Sequence, residues 1–206
     1  MKAKEEKYFE LLRQHTEEIT AAGDICLCAL SGKNDREDAW KEMRDLFRNG
    51  QKSSERLEER ADRIFHGQDC RGDITRLLEG LQQAAGQVRK ILADFRLCSD
   101  AEAPAGAEVL AEIASASLGE ISKIAGYTSD IKGNAMKATA RCMKVLNYAE
   151  RAESEYGEAA RRLVLSGRDP VYIMQWKCIL EGLESVADIC TDIIYAMQRV
   201  VFKGAQ

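Results

Sequence analysis

Leu180-Glu181-Gly182-Leu183 repeats Leu78-Glu79-Gly80-Leu81 residue for residue, 102 positions on (180 against 78), and Ala187 then answers Ala85. A second echo links Glu59-Arg60-Ala61-Asp62 with Glu150-Arg151-Ala152-Glu153, 91 positions on (150 against 59). Two copies of one unit are therefore present, and the change of spacing puts a longer loop or helix between the two signatures of the second copy. With only two copies, a duplicated bundle is expected rather than a solenoid.

Around these signatures the residues step as helix faces. Trp176, Leu180, Leu183, Ala187, Cys190, Ile194, Met197 and Val201 recur by alternating fours and threes, which is the seam of a bundle. Ile74, Leu77, Leu81, Ala84, Val88, Ile91 and Phe95 form a second seam, and Tyr8, Leu11, His15, Ile19, Ala22 and Cys26 a third. His15 on such a stripe reads as a packed, hydrogen-bonded core side chain, since no acid or cysteine is paired with it in an evident motif.

Turn residues cluster at Gly32-Lys33-Asn34-Asp35, Gly67 through Asp73, Ser99 through Gly106, Gly133-Asn134, and Ser166 through Pro170. Asp169 before Pro170 is the strongest helix start, because an N-cap acid accepts from free amides and proline at the first helical position loses no hydrogen bond. The reading is an all-α chain of six helices in two three-helix repeats, residues 1–99 and 100–206, joined near Ser99 to Pro104.

The 206 residues, 45% hydrophobic and 31% charged, suffice to bury a substantial core. The net charge of −4 is spread without a basic block, which argues against nucleic acid as a partner. Met1 to Lys7 is polar and no apolar stretch approaches the roughly 20 residues of a membrane span. A cytoplasmic location without direct membrane insertion is expected. Seven cysteines at largely apolar helix positions fit reduced, buried thiols, and Cys26-Leu27-Cys28 alone is no zinc motif.

Glu58 and Asp62 each follow a core residue, Leu57 and Ala61, so they line one flank of a seam. Glu184 and Asp188 stand likewise after Leu183 and Ala187, with Glu181 just before and Asp192 one turn on. Stacked carboxylates repel unless water, a base or a cation neutralises them. A hard oxygen-ligand metal site is one reading. The commoner one is a solvated face, or pairing with Arg60, Arg63, Lys177 or Arg199. Enzyme templates are missing: there is no G-x-S-x-G, no phosphate-cradling glycine loop and no H-E-x-x-H. A di-iron bundle needs a Glu three residues before a His, where this chain has Leu12 and Arg63.

With these residues in view the chain resembles the PhoU-like family of phosphate transport regulators, in the branch of accessory proteins of Pit-type inorganic phosphate transporters. The resemblance rests on Tyr8-Phe9-Glu10-Leu11-Leu12, the segment from Leu57 to Ile64, Arg71-Gly72-Asp73-Ile74 and Asp169-Pro170. Its strongest part is Trp176-Lys177, Leu180 through Asp192, and Val200-Val201-Phe202-Lys203. It implies a non-catalytic regulator that binds the cytoplasmic side of an inorganic phosphate transporter, or a phosphate-signalling protein. Tyr172 and Phe202, expected to be exposed at helix ends, are candidates either for a docking surface or for self-association as a homo-oligomer.

The resemblance also implies a divalent or ferric metal ion on E/D-x-x-x-D motifs, here Glu58 with Asp62, and Glu184 with Asp188 and Asp192. Half of that pattern is replaced: Gln82, Gln83 and Gly86 stand where the third helix would carry acids, and Ala149 and Glu153 on the fifth. Metal binding is thus expected to be weak, mononuclear or lost, and a carboxylate-ligated metal bundle, as enzyme or store, is the alternative function.

Overall fold

The computed structural model describes residues 2–65, 70–98 and 102–203. Six α-helices follow one another: α1 Lys2–Leu30, α2 Arg36–Phe65, α3 Arg71–Arg96, α4 Ala107–Gly126, α5 Ile131–Val164 and α6 Pro170–Lys203. One 3₁₀ turn, Thr128–Asp130, precedes α5, and no strand occurs among the described residues.

The breaks follow from local chemistry. After α1, Gly32 takes a φ of 71°, its N–H donates to the Ala29 carbonyl and that of Lys33 to Cys28. This left-handed closure satisfies the last carbonyls, and glycine adopts it without a Cβ clash. Asp35 then opens α2, its carboxylate accepting from the Glu37 N–H at 2.8 Å and the Asp38 N–H at 3.2 Å. Asp169 does the same for Val171 at 2.8 Å, with Pro170 as the first residue of α6.

One break lies earlier than the sequence indicates. The chain turns at Tyr127 to Asp130, and Gly133-Asn134 falls inside the first turn of α5. Asp130 is the cap: its carboxylate accepts from the Gly133 N–H, and Asn134 donates back to the Asp130 carbonyl at 2.9 Å. A Cβ on residue 133 would sit 2.5 Å from that carboxylate, so this glycine marks a cap rather than a turn.

Each half is a three-helix unit in which all helices touch: α1, α2 and α3 in the first, α4, α5 and α6 in the second. The halves meet through α1 on α4 and through α3 on α6, the most extensive contact in the molecule. Five residues separate α2 from α3 and five separate α5 from α6, so the extra residues of the second copy lie in its longer helices.

The seams bury as read. Trp176, Leu180, Leu183, Ala187, Cys190, Ile194 and Met197 are buried on α6, and all seven seam residues named on α3 are buried. Val201 and Phe202 lie outside the residues whose side chains are described. On α1 the buried position is Leu12, with Leu11 half-buried, because the stripe that meets α2, α3 and α4 is wide enough to turn by one residue. Each large side chain fully buried this way contributes about 1.5–3 kcal/mol of transfer free energy.

Tyr172 departs from expectation. It is 6% exposed, packs beside Trp176 with ring centroids 6.3 Å apart, and donates its hydroxyl to the Glu102 carbonyl at 2.9 Å. It fastens α6 to the inter-repeat connection and is no docking residue. The exposed apolar side chains near this end are Leu97, Val164, Leu165, Val171 and Met174.

Candidate functional site

The two acid pairs occupy chemically different settings. In the first half, Glu58 and Asp62 project from α2, both exposed. Gln82 of α3 donates its amide to Glu58 Oε1 at 2.5 Å and to Ser54 Oγ at 2.9 Å. Arg71, at the start of α3, forms an ion pair with Asp62. Of the expected bases, Lys177 does pair with an acid of its row, Glu181, whereas Arg63 goes to Glu59 and Arg199 to Asp73. The neutralising groups in the first half thus come from the facing helix.

The second half is built the other way. In the 102-residue register Glu184 replaces Gln82, Asp188 replaces Gly86 and Asp192 replaces Lys90, so here the last helix carries the acids. Glu153 faces them from α5. Partial burial raises the pKa of Glu184, and the negative charges of Asp188, Glu153 and Glu181 raise it further. Asp188 is raised in the same direction by burial, Glu153 and Asp192. Glu181 is separate, held below the usual carboxylate range by hydrogen bonds from Lys177 and the Tyr156 hydroxyl.

A metal ion would need several oxygen ligands converging on one point. In the first half the ligating oxygens are engaged by an amide and a guanidinium. In the second, three acids repel one another across the α5–α6 groove. Among the described residues no three Asp, Glu, His or Cys side chains come together as a metal-holding group, so the side chains as placed do not fit a metal cluster. The cysteines likewise do not cluster: all seven are free thiols, four of them buried. His66 lies outside the described residues.

Another buried carboxylate went unrecognised in the sequence. Glu120 of α4 is closed off from solvent and accepts from Arg141 of α5 through both oxygens, at 3.0 and 2.9 Å, and from Lys123 at 2.9 Å. Burial alone would raise its pKa, yet the Lys123 and Arg141 hydrogen bonds prevail and lower it. A lone Glu in an apolar helix carries no signal of this in sequence, since its partner is 21 residues away on another helix.

No family model matches the chain and no curated protein matches it in sequence. Solved structures do match in fold. The phosphate transport system regulatory protein PhoU of Streptococcus pneumoniae superposes with a TM-score of 0.74 at 13% identity, over 97% of this chain and 96% of that one. PhoU of Pseudomonas aeruginosa gives 0.69 at 17% identity, over 98% of each chain. A PhoU-like phosphate regulatory protein of Shewanella oneidensis gives 0.67 at 13% identity, over 95% of this chain and 99% of that one. The chain therefore has the all-α PhoU fold, end to end, including its two-repeat organisation.

Proposed function

We propose that this protein is a non-catalytic regulator of inorganic phosphate transport, acting by binding the cytoplasmic side of a Pit-type phosphate transporter. The observation that carries the reading is the match in fold, over nearly the whole length of both chains, to proteins named as phosphate transport regulators. Fold alone does not fix function. Support from this chain's own residues is that its acids are spent on neighbouring helices or on each other, not gathered as a metal-ligating group. This favours the regulatory reading over the carboxylate-ligated metal bundle.

Residues 1–99 and 100–206 are the two repeats in this reading. No helix among the described residues is long and apolar enough to cross a membrane. In this reading the protein reaches the transporter as a peripheral partner. Should a divalent or ferric ion bind, Glu184, Asp188 and Asp192 would have to move together to hold it; among the described residues only other carboxylates act on Glu184 and Asp188. Glu58 and Asp62 would first have to give up Gln82 and Arg71.

Affinity capture of the tagged chain from detergent-solubilised native cells, grown at high and at low phosphate, tests the proposal. A phosphate transporter recovered in a phosphate-dependent manner supports it. Recovery of only soluble proteins, or of nothing, under both conditions removes the transporter assignment.

A further inference from the structure

The overall charge of −4 covers a local excess of the opposite sign. From Ile131 to Ala149, the first half of α5, the sequence carries Lys132, Lys137, Arg141 and Lys144 and no acid. The acids at its borders are Asp130, which is committed to capping the helix at the Gly133 N–H, and Glu150. On the inner side Glu120 of α4 meets both Arg141 and Lys123, so one acid stands against two bases and a positive charge is left over.

The same stretch is apolar where it meets water. Met136, Ala140, Met143 and Asn147 step by four, three and four along the helix, and all are exposed, Met136 to 87% and Met143 to 53%. Lys137 and Lys144 each follow a methionine of this stripe and so line one flank of it. Both lysines are exposed, and among the described residues no ion pair joins either to a carboxylate; Lys137 donates to the Asn134 side chain at 3.3 Å.

The internal repeat shows that the fold does not require such a surface. At the 91-residue offset Met136, Ala140 and Met143 correspond to Asp45, Asn49 and Lys52 of α2, all exposed and all polar. The matching stretch of α2, Trp40 to Glu58, carries five bases and four acids, the mixed and solvated face expected of an outer helix. In the second copy the acids are gone and methionines stand at the crest.

Charge fixes the sign of the occupant, which is anionic, and shape fixes its kind. A side chain exposed to 87% stands on a ridge, whereas a peptide helix needs a groove in which to bury its apolar face. A bilayer surface meets a ridge along its length, with lipid phosphates beside the lysines and the methionines at the boundary of headgroups and acyl chains. Lysine suits this place, because its hydrocarbon stem lies along apolar surface while the ammonium stays among the headgroups.

We propose that the outward face of residues 133–147 of α5 adsorbs to an anionic phospholipid bilayer, with Lys137 and Lys144 at the lipid phosphates and Met136 and Met143 entering the interface. Adsorption of this kind lays one helix face on the surface and spans nothing. It needs bilayer alone and no protein partner, and so does not depend on the transporter reading.

The test mixes the full chain with large unilamellar vesicles of phosphatidylcholine, alone or with about one third phosphatidylglycerol, and follows co-sedimentation near neutral pH. Partition onto the anionic vesicles is expected to exceed that onto the neutral ones by ~10-fold or more, and to fall by at least ~10-fold between about 0.05 and 0.5 M NaCl. Lys137→Glu with Lys144→Glu should weaken it by ~10-fold or more, and Met136→Ser with Met143→Ser, at unchanged charge, by ~3-fold or more. Arg44→Glu with Lys52→Glu makes the same change of charge on the outer face of α2 and should alter partition by less than ~2-fold. All six side chains are exposed, so the melting temperatures should stay close to that of the parent chain. No partition onto anionic vesicles, equal partition onto neutral ones, indifference to either α5 pair, or an equal loss with the α2 pair overturns the proposal. So does binding of a polyglutamate peptide through Lys137 and Lys144 without binding of vesicles, which would make the face a protein interface.

Discussion

Gly80 of α3 lies so close to Ile193 of α6 that a Cβ added to the glycine would come within 2.8 Å of the Ile193 Cγ1. Gly182 of α6 stands in the same relation, again at 2.8 Å, to Ile91 of α3. The two pairs are related by the 102-residue shift of the sequence repeat, and they run in opposite senses along the helices. The α3–α6 interface is therefore self-complementary about an internal two-fold, as in a symmetric dimer. The glycine in each Leu-Glu-Gly-Leu signature is what admits the partner isoleucine. Gly80→Ala and Gly182→Ala should each destabilise by about 1–3 kcal/mol, because the atom met follows the stiff χ1 of a β-branched residue. That exceeds the ~1 kcal/mol gained in helix propensity. Gly86→Ala and Gly157→Ala, where nothing lies within 4 Å, should instead stabilise by about 0.5–1 kcal/mol. Urea midpoints separate the two signs, and a neutral Gly80→Ala would mean that the helices are looser than this contact implies.

Lys123 and Arg141 together neutralise the enclosed Glu120 carboxylate, whose side chain is 5% exposed. Arg141→Met leaves that charge with Lys123 alone and should lower the urea midpoint. The double variant Glu120→Met with Arg141→Met should cost clearly less than the two single losses together, since no buried charge is then stranded. A double-mutant cycle showing simple additivity would break the pairing argument. Because the folded pKa of Glu120 is depressed, its contribution is complete above the unfolded value of about 4.3 and is lost as acid takes the solution through the lower folded value.

Glu184 and Asp188 carry the opposite pH signature. Their pKa values are raised in the fold, so they bind protons more tightly there than in the unfolded chain. What they contribute is greatest below the unfolded values of about 4 and falls as pH rises through the folded ones. Glu153→Gln removes a repelling neighbour of both. It should stabilise by about 0.2–0.5 kcal/mol at neutral pH, and less in high salt, which screens charges at this separation. A melting temperature that drops on Glu153→Gln would show that the acid makes a favourable contact instead.

The parts of the fold legible in sequence were those set by local chemistry. Asp35, Asp169 and Pro170 act on amides within three residues, and the seams of α3 and α6 are fixed by periodicity. The break assigned to Gly133 slipped because that glycine accommodates the Asp130 cap, a short-range contact that looks like a turn signal in isolation. Tyr172 looked like a terminal aromatic because Glu102, which receives its hydroxyl, is 70 residues away. The acids were visible, and through the family resemblance so were the facing positions Gln82 and Glu153, but Arg71 as the partner of Asp62 was not, because pairing across helices depends on a register that one helix's pattern does not contain. His15 was correctly placed in the core.

Thiol chemistry tests the packing of the core itself. Cys178 is exposed, Cys28 and Cys70 are half-buried, and Cys26, Cys98, Cys142 and Cys190 are buried. The thiolate is the reactive form, and burial pushes the Cys26 thiol up to about 12 and raises Cys142 and Cys190 as well. A disulfide reagent such as Ellman's should therefore modify about one equivalent rapidly in the native protein, two more slowly, and the remaining four only when denaturant exposes them. Cys178→Ser should remove the fast phase without moving the melting temperature, because the side chain it changes faces solvent. Fast modification of Cys190 in the folded protein would be incompatible with the buried α6 seam, where that thiol has no exposed surface.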